Sequence, residues 1–319
     1  MHELLASGIV PGYHRARFRG EGMTAQFRGS YVALVTPMAL DGRVDTKAYE
    51  RLLEYHLERG TAGFIIGGTT GESPTLTPTE LCELIRLAVH TVDGRVPVIG
   101  GCGTNNTATT VALTQQVCEA GAQGCLVVTP YYNKPTQEGL YQHFTVVADA
   151  ATVPVILYNV PSRTGCDLLP ETVARLAEHP RICAVKEATG DVQRTRDILS
   201  RCGGQLDVLS GDDSSALELI FAGAVGVISV TANAAPEAMA KMCAAALDGD
   251  RERALAIDED LRDLHQALFI EANPIPVKYA LYRLGLIDAG LRLPMTALSS
   301  ECESRVVAAM RRAGLEVSD

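Results

Sequence analysis

Short, continuously apolar runs recur along the chain, each bounded by Gly, Pro or Thr. They are YVALVTP (31–37), GFIIGGTT (63–70), VPVIGGCG (96–103), GCLVVTP (124–130), VPVILYNVP (153–161), ICAVKEAT (182–189), LDVLSGDD (206–213) and GVISVTA (226–232). Continuous rather than alternating apolarity marks strands covered on both faces, and so predicts a parallel sheet. The segments between them have helical period. After Asp45, a candidate N-cap, apolar residues at 48, 49, 52, 53 and 57 form one stripe, and Gly60 ends it. Thr77 followed by Pro78 and by Glu80 three residues on is the start signature of a helix over 77–92. Helices also fit 107–120, 137–151, 170–179, 191–202 and 214–222.

Eight strands alternating with helices over about 250 residues predict a (β/α)8 TIM barrel. The competing doubly wound sheet would carry a glycine fingerprint after an early strand, and GGCGTNN lacks its third glycine. Residues 233–319 follow the eighth run and are helical in pattern, which reads as a C-terminal helical extension packed on the barrel. The expected organisation is a tail (1–26), a barrel (27–232) and helices (233–319). The first segment, MHELLASGIVPGYHRARFRG, has no long apolar centre and does not read as a secretory signal. A tail is favoured there, with an over-long start or a transit-type segment as the other readings.

Composition narrows the classes. With 47% apolar and 21% charged residues the chain is globular in type, and no apolar run reaches the length of a membrane span. A net charge of −10 argues against nucleic acid or an anionic membrane as a main partner. Nine cysteines, an odd number with no C-x-x-C pair, suggest neither disulfides nor structural zinc and fit a reducing, cytoplasmic setting.

Barrel enzymes place their chemistry at the C-terminal ends of the strands. Of five lysines, only Lys186 follows an apolar strand run; Lys47, Lys241 and Lys278 fall in helical patterns, where solvated or snorkelling lysines are normal, and Lys134 lies in a loop. A partly desolvated amine at that position is a candidate Schiff-base nucleophile. The competing reading pairs it with Glu187 or with an Asp of the next strand. Tyr158, one βα unit earlier, is a candidate proton shuttle or an amphipathic core residue. Thr69 and Thr70 lie in GGTTG, whose backbone forms an anion-binding nest or an ordinary tight turn. Arg163 is a carboxylate clamp or a solvated surface residue. Asp212 and Asp213 raise metal binding, but no histidine stands at a strand end, so no catalytic metal is expected and Asp212 reads as a helix cap.

These residues sit in GTTGES (68–73), TPYYNKPTQEGLYQHF (129–144), YNVPSRTG (158–165), KEATGD (186–191), SGDDSSALELI (210–220), GVISVTAN (226–233) and NPIPVKYAL (273–281). Together, in this order, they resemble the dihydrodipicolinate synthase family from about Phe27 onward. The resemblance implies a barrel, a homotetramer of two tight dimers and no metal or organic cofactor. It also implies condensation of pyruvate with L-aspartate 4-semialdehyde, the first committed step toward diaminopimelate and lysine. By similarity Lys186 forms the imine, Tyr158 moves protons, and Thr69 and Tyr132 complete a relay, Tyr132 arriving from the neighbouring subunit. Thr70 and the Ile228 backbone contact pyruvate, and Arg163 receives the semialdehyde carboxylate.

In lysine-sensitive members an allosteric pocket maps onto Ser73, Pro74, Pro78, Leu81, Asn105, Thr109 and Tyr131. Such enzymes typically carry an acid at the position of Thr109 and histidines at those of Pro78 and Leu81, so the resemblance implies a degenerate lysine site here. Two other functions stay open: a sugar-acid or N-acetylneuraminate aldolase using the same imine, and a non-catalytic barrel that binds a keto acid.

Overall fold

The computed structural model describes residues 27–317; the expected tail over 1–26 lies outside the described residues. Eight strands close into one barrel in chain order: β1 (Gly29–Ala33), β2 (Gly63–Ile66), β3 (Val98–Gly101), β4 (Gly124–Val128), β5 (Val155–Asn159), β6 (Ile182–Glu187), β7 (Asp207–Ser210) and β8 (Gly226–Ser229). Every pairing is parallel, including the closing pair β1–β8. Each strand is shorter than its apolar run, because the run's last residues have already turned into the loop at the C-terminal rim.

The helices start where the sequence signals them. Asp45 accepts from the Ala48 N–H, and Thr77 and Glu80 form a reciprocal capping box ahead of Pro78–Val92. Asn106 and Asp191 cap Thr107–Glu119 and Val192–Cys202. The helix expected at 214–222 runs from Ala216 to Phe221, and Asp212 accepts from the Ser215 N–H and hydroxyl just ahead of it. Beyond β8, Pro236–Leu247 packs on β1 and β8, followed by Arg251–Ala267, Ile275–Arg283 and Ser300–Arg312. Among the described residues no helix is long and apolar enough to cross a membrane. Six of the nine cysteines are buried.

Strand alternation divides the core in two. Tyr31, Ile65, Ile99, Leu126, Ile156, Ala184, Leu209 and Ile228 fill the barrel interior. Val32, Phe64, Val98, Val127, Val155, Val185, Val208 and Val227 face the helices. The period of two along β6 therefore sends Lys186 inward behind Ala184 and Glu187 outward behind Val185.

One lysine departs from the sequence reading. Lys278 is neither solvated nor snorkelling: it is 1% exposed, and its Nζ donates to Glu72 Oε1 at 2.5 Å and to the Thr36 carbonyl at 2.9 Å. Burial lowers its pKa, with Glu72 opposing. Its helix packs against the barrel rim, so a position with ordinary helical spacing ends up without access to water.

Candidate active site

The residues singled out from the strand ends converge at the C-terminal mouth of the barrel. Lys186 and Tyr158 are register partners on β6 and β5. Lys186 is 5% exposed and its Nζ lies 4.4 Å from the centre of the Tyr158 ring. Neither proposed ion-pair partner bonds to it. Glu187, fully buried on the outer face, accepts from Arg194 Nε at 3.0 Å and from Asn159 Nδ2 at 3.2 Å. Asp212 is taken up by Ser215, and Asp213 Oδ2 accepts from the N–H groups of Val230 and Thr231, fixing the chain just past Ile228. The amine thus sits against a phenol, with no carboxylate bonded to it, which favours nucleophilic use over a structural ion pair.

Gly211 makes room for the lysine. A Cβ there would lie 3.0 Å from both Cγ and Cε of Lys186 and 2.7 Å from the Ala188 Cβ. Gly211→Ala is expected to push the lysine stem aside and slow pyruvate-dependent adduct formation at Lys186 by about tenfold, the scale of a modest misplacement of a reacting group. Single-turnover borohydride trapping measures it, and an unchanged trapping rate would refute the crowding argument.

The turn after β2 carries the threonines. Thr69 lines the cavity, and Thr70 is buried. Among the described residues, the backbone N–H groups of Thr69 and Thr70 donate to no acceptor within the chain. That leaves two amide donors for an anion, as a nest would. Arg163 stands on a short helix, Pro161–Thr164, that the sequence pattern did not suggest. With Tyr158 and Thr69 it lines a cavity of about 330 Å³.

Asn273 joins this group unannounced. Its Nδ2 donates to Thr70 Oγ1 at 3.0 Å, its carbonyl faces Arg163 Nη2 at 3.5 Å, and its Oδ1 is buried without a partner. It comes from the helical extension, where no strand-end rule applies; the NPIPVKYAL motif was the only signal available.

The positions matched to a lysine site are partly brought together. Ser73, Pro74, Pro78, Leu81 and Tyr131 line the same cavity. Asn105 and Thr109 do not line it, and Thr109 is exposed on the first turn of its helix. Tyr132 also stays outside, 86% exposed, at a φ of 75°. Among the described residues no cluster of three metal-ligating side chains occurs.

A closed (β/α)8 barrel with a buried lysine and a phenol side by side at adjacent strand ends has the equipment of an imine-forming aldolase. The chain belongs to the dihydrodipicolinate synthetase family, whose model matches residues 26–313. It is 54% identical over 287 residues to the 4-hydroxy-tetrahydrodipicolinate synthase of Pseudomonas aeruginosa, covering 90% of this chain and 98% of that protein. The enzyme of the same name from Methylococcus capsulatus is also 54% identical, over 90% of this chain and 99% of its own. Among solved structures, the chloride-inhibited dihydrodipicolinate synthase of Acinetobacter baumannii complexed with pyruvate superposes with a TM-score of 0.90 at 47% identity, covering 91% and 100% of the two chains. The lysine-bound enzyme of Cyanidioschyzon merolae gives 0.89 at 39% identity, over 92% and 100%.

Proposed function

We propose that this protein condenses pyruvate with L-aspartate 4-semialdehyde to 4-hydroxy-tetrahydrodipicolinate, in the route to diaminopimelate and lysine. The observation that carries the reading is Lys186, buried, unpaired with any carboxylate and 4.4 Å from the Tyr158 ring centre. Its amine adds to the ketone carbon of pyruvate, and loss of water leaves an imine. Removal of a methyl proton gives an enamine, the protonated imine taking up the electron pair. The enamine carbon bonds to the aldehyde carbon of the semialdehyde, whose oxygen gains a proton. The substrate's amino group then attacks the imine carbon, closing the ring and expelling the Lys186 amine.

Tyr158 is placed to move these protons, with Thr69 beside it in the cavity and Tyr132 supplied by a second copy. The free amides of Thr69 and Thr70 suit the pyruvate carboxylate, the backbone of Ile228, an inward-facing residue of β8, is assigned a contact to the same substrate, and Arg163 suits the carboxylate of the semialdehyde. A polyhydroxylated sugar acid would call for neutral hydrogen-bonding groups where Arg163 stands. Borohydride reduction in the presence of pyruvate tests the reading: mass should be added at Lys186, and no adduct, or one on another lysine, would overturn it. The assembly consistent with this reading is a tetramer made of two tight dimers.

Feedback by L-lysine should be weak or absent. Among the described residues lining the cavity, no side chain is a carboxylate, and Arg163 is the one charged group. A partly desolvated ammonium without a charged hydrogen-bond partner loses about 1.5–3 kcal/mol, a site roughly 10- to 150-fold weaker. Activity titrated with L-lysine checks this, and strong inhibition below millimolar concentrations would show that another acid takes the role.

A further inference from the structure

We propose that the buried pair Glu72–Lys278, which ties the C-terminal extension to the turn after β2, positions Thr69 and Thr70 to receive the keto-acid carboxylate. This rests on the imine reading above. Both side chains are 1% exposed, although 206 residues separate them. Each end makes two contacts: Glu72 Oε1 accepts from Lys278 Nζ and its Oε2 from the Arg292 N–H at 3.0 Å, while Lys278 also donates to the Thr36 carbonyl. The Thr36 hydroxyl in turn donates to the Gly71 carbonyl at 2.7 Å. The pair therefore holds the turn directly at Glu72 and, through Thr36, at Gly71.

The turn it grips is an unusual one. Glu72 has a φ of 59°, a left-handed conformation that a glutamate adopts only under constraint. The chain folds back so tightly that Gly71 N–H and Ser73 N–H both donate to the Gly68 carbonyl, and Glu72 N–H to that of Thr69. A buried ion pair is weak support for stability, because the desolvation of both charges offsets their attraction; its best-attested use is to fix one arrangement among several. The arrangement fixed here is the one that leaves the Thr69 and Thr70 amides without an internal acceptor. Asn273, on the same stretch of the extension, holds the Thr70 hydroxyl from the other side. Lys278 and Glu72 are positioning residues in this scheme, since neither lines the cavity.

The test uses the full-length enzyme. The double variant Glu72→Gln with Lys278→Met removes both charges together, so no uncompensated charge is buried. It should keep the circular dichroism of the parent yet raise the pyruvate KM at least about tenfold, the scale of weakening a hydrogen bond to a charged group. Turnover at saturating pyruvate and the KM for the semialdehyde should move far less. Should the double variant fail to fold, Glu72→Asp, which keeps the charge but shortens its reach, is read on the same constants and should shift the pyruvate KM in the same direction. A Lys186 adduct in the parent together with an unchanged pyruvate KM in the folded variant overturns the positioning role and leaves the imine reading standing. Absence of the adduct in the parent overturns the imine reading and this inference with it.

Discussion

Lys186→Ala is expected to lower turnover by at least about 10⁴-fold while the protein stays folded, the scale seen when a covalent nucleophile is removed from a site whose parts act as a unit. No other lysine among the described residues can replace it. Lys278 is buried and spent on Glu72 and Thr36. Lys47, Lys134 and Lys241 are exposed. Truncating Lys186 leaves space beside Gly211 and breaks no ion pair, so the stability cost should be modest beside the catalytic one. Steady-state assay of Lys186→Ala, with mass spectrometry after borohydride and pyruvate, measures both. Retained turnover above one per cent of the parent, or trapping that persists elsewhere, would remove Lys186 from the mechanism.

What could be seen in the sequence was whatever is local or periodic. The continuous apolarity of each strand run follows from burial on both faces, and it located all eight strands to within a few residues. The caps at Asp45 and Thr77 were legible because each meets its N–H partner three residues on. Lys186 stood out for a similar reason: a charge at the end of an apolar run has little water around it. What stayed hidden depends on partners far along the chain. Lys278 reads as an ordinary helical lysine until Glu72 is folded against it. Glu187 could be a partner for Lys186 until strand alternation turns it outward to Arg194. Asn273 reaches Thr70 across 203 residues from a region with no strand to mark it. The short helix at Pro161–Thr164 is a single turn, below the length at which a period can be recognised.

Tyr132→Phe should lower turnover by about 10²-fold, as for losing one proton-transfer group. The effect should also be transferable between chains. The Tyr132 side chain is 86% exposed, while its backbone N–H is tied to the Thr164 carbonyl at 3.1 Å. Its neighbour Tyr131 lines the cavity, and Tyr132 does not. Consecutive residues held this way present their rings in different directions, so Tyr132 is poorly placed to serve its own Tyr158. Its exposure leaves it free to enter the site of a second copy, should one dock on this face. Mixing two impaired variants separates the possibilities. A hybrid dimer of Lys186→Ala with Tyr132→Phe contains one site with both groups intact if the tyrosine acts across the interface, and none if it acts within its own chain. Random pairing makes about half the dimers hybrid, each with one working site of two, so the mixture should recover roughly a quarter of the parent activity. Recovery no greater than the average of the two variants would place Tyr132 outside any shared relay.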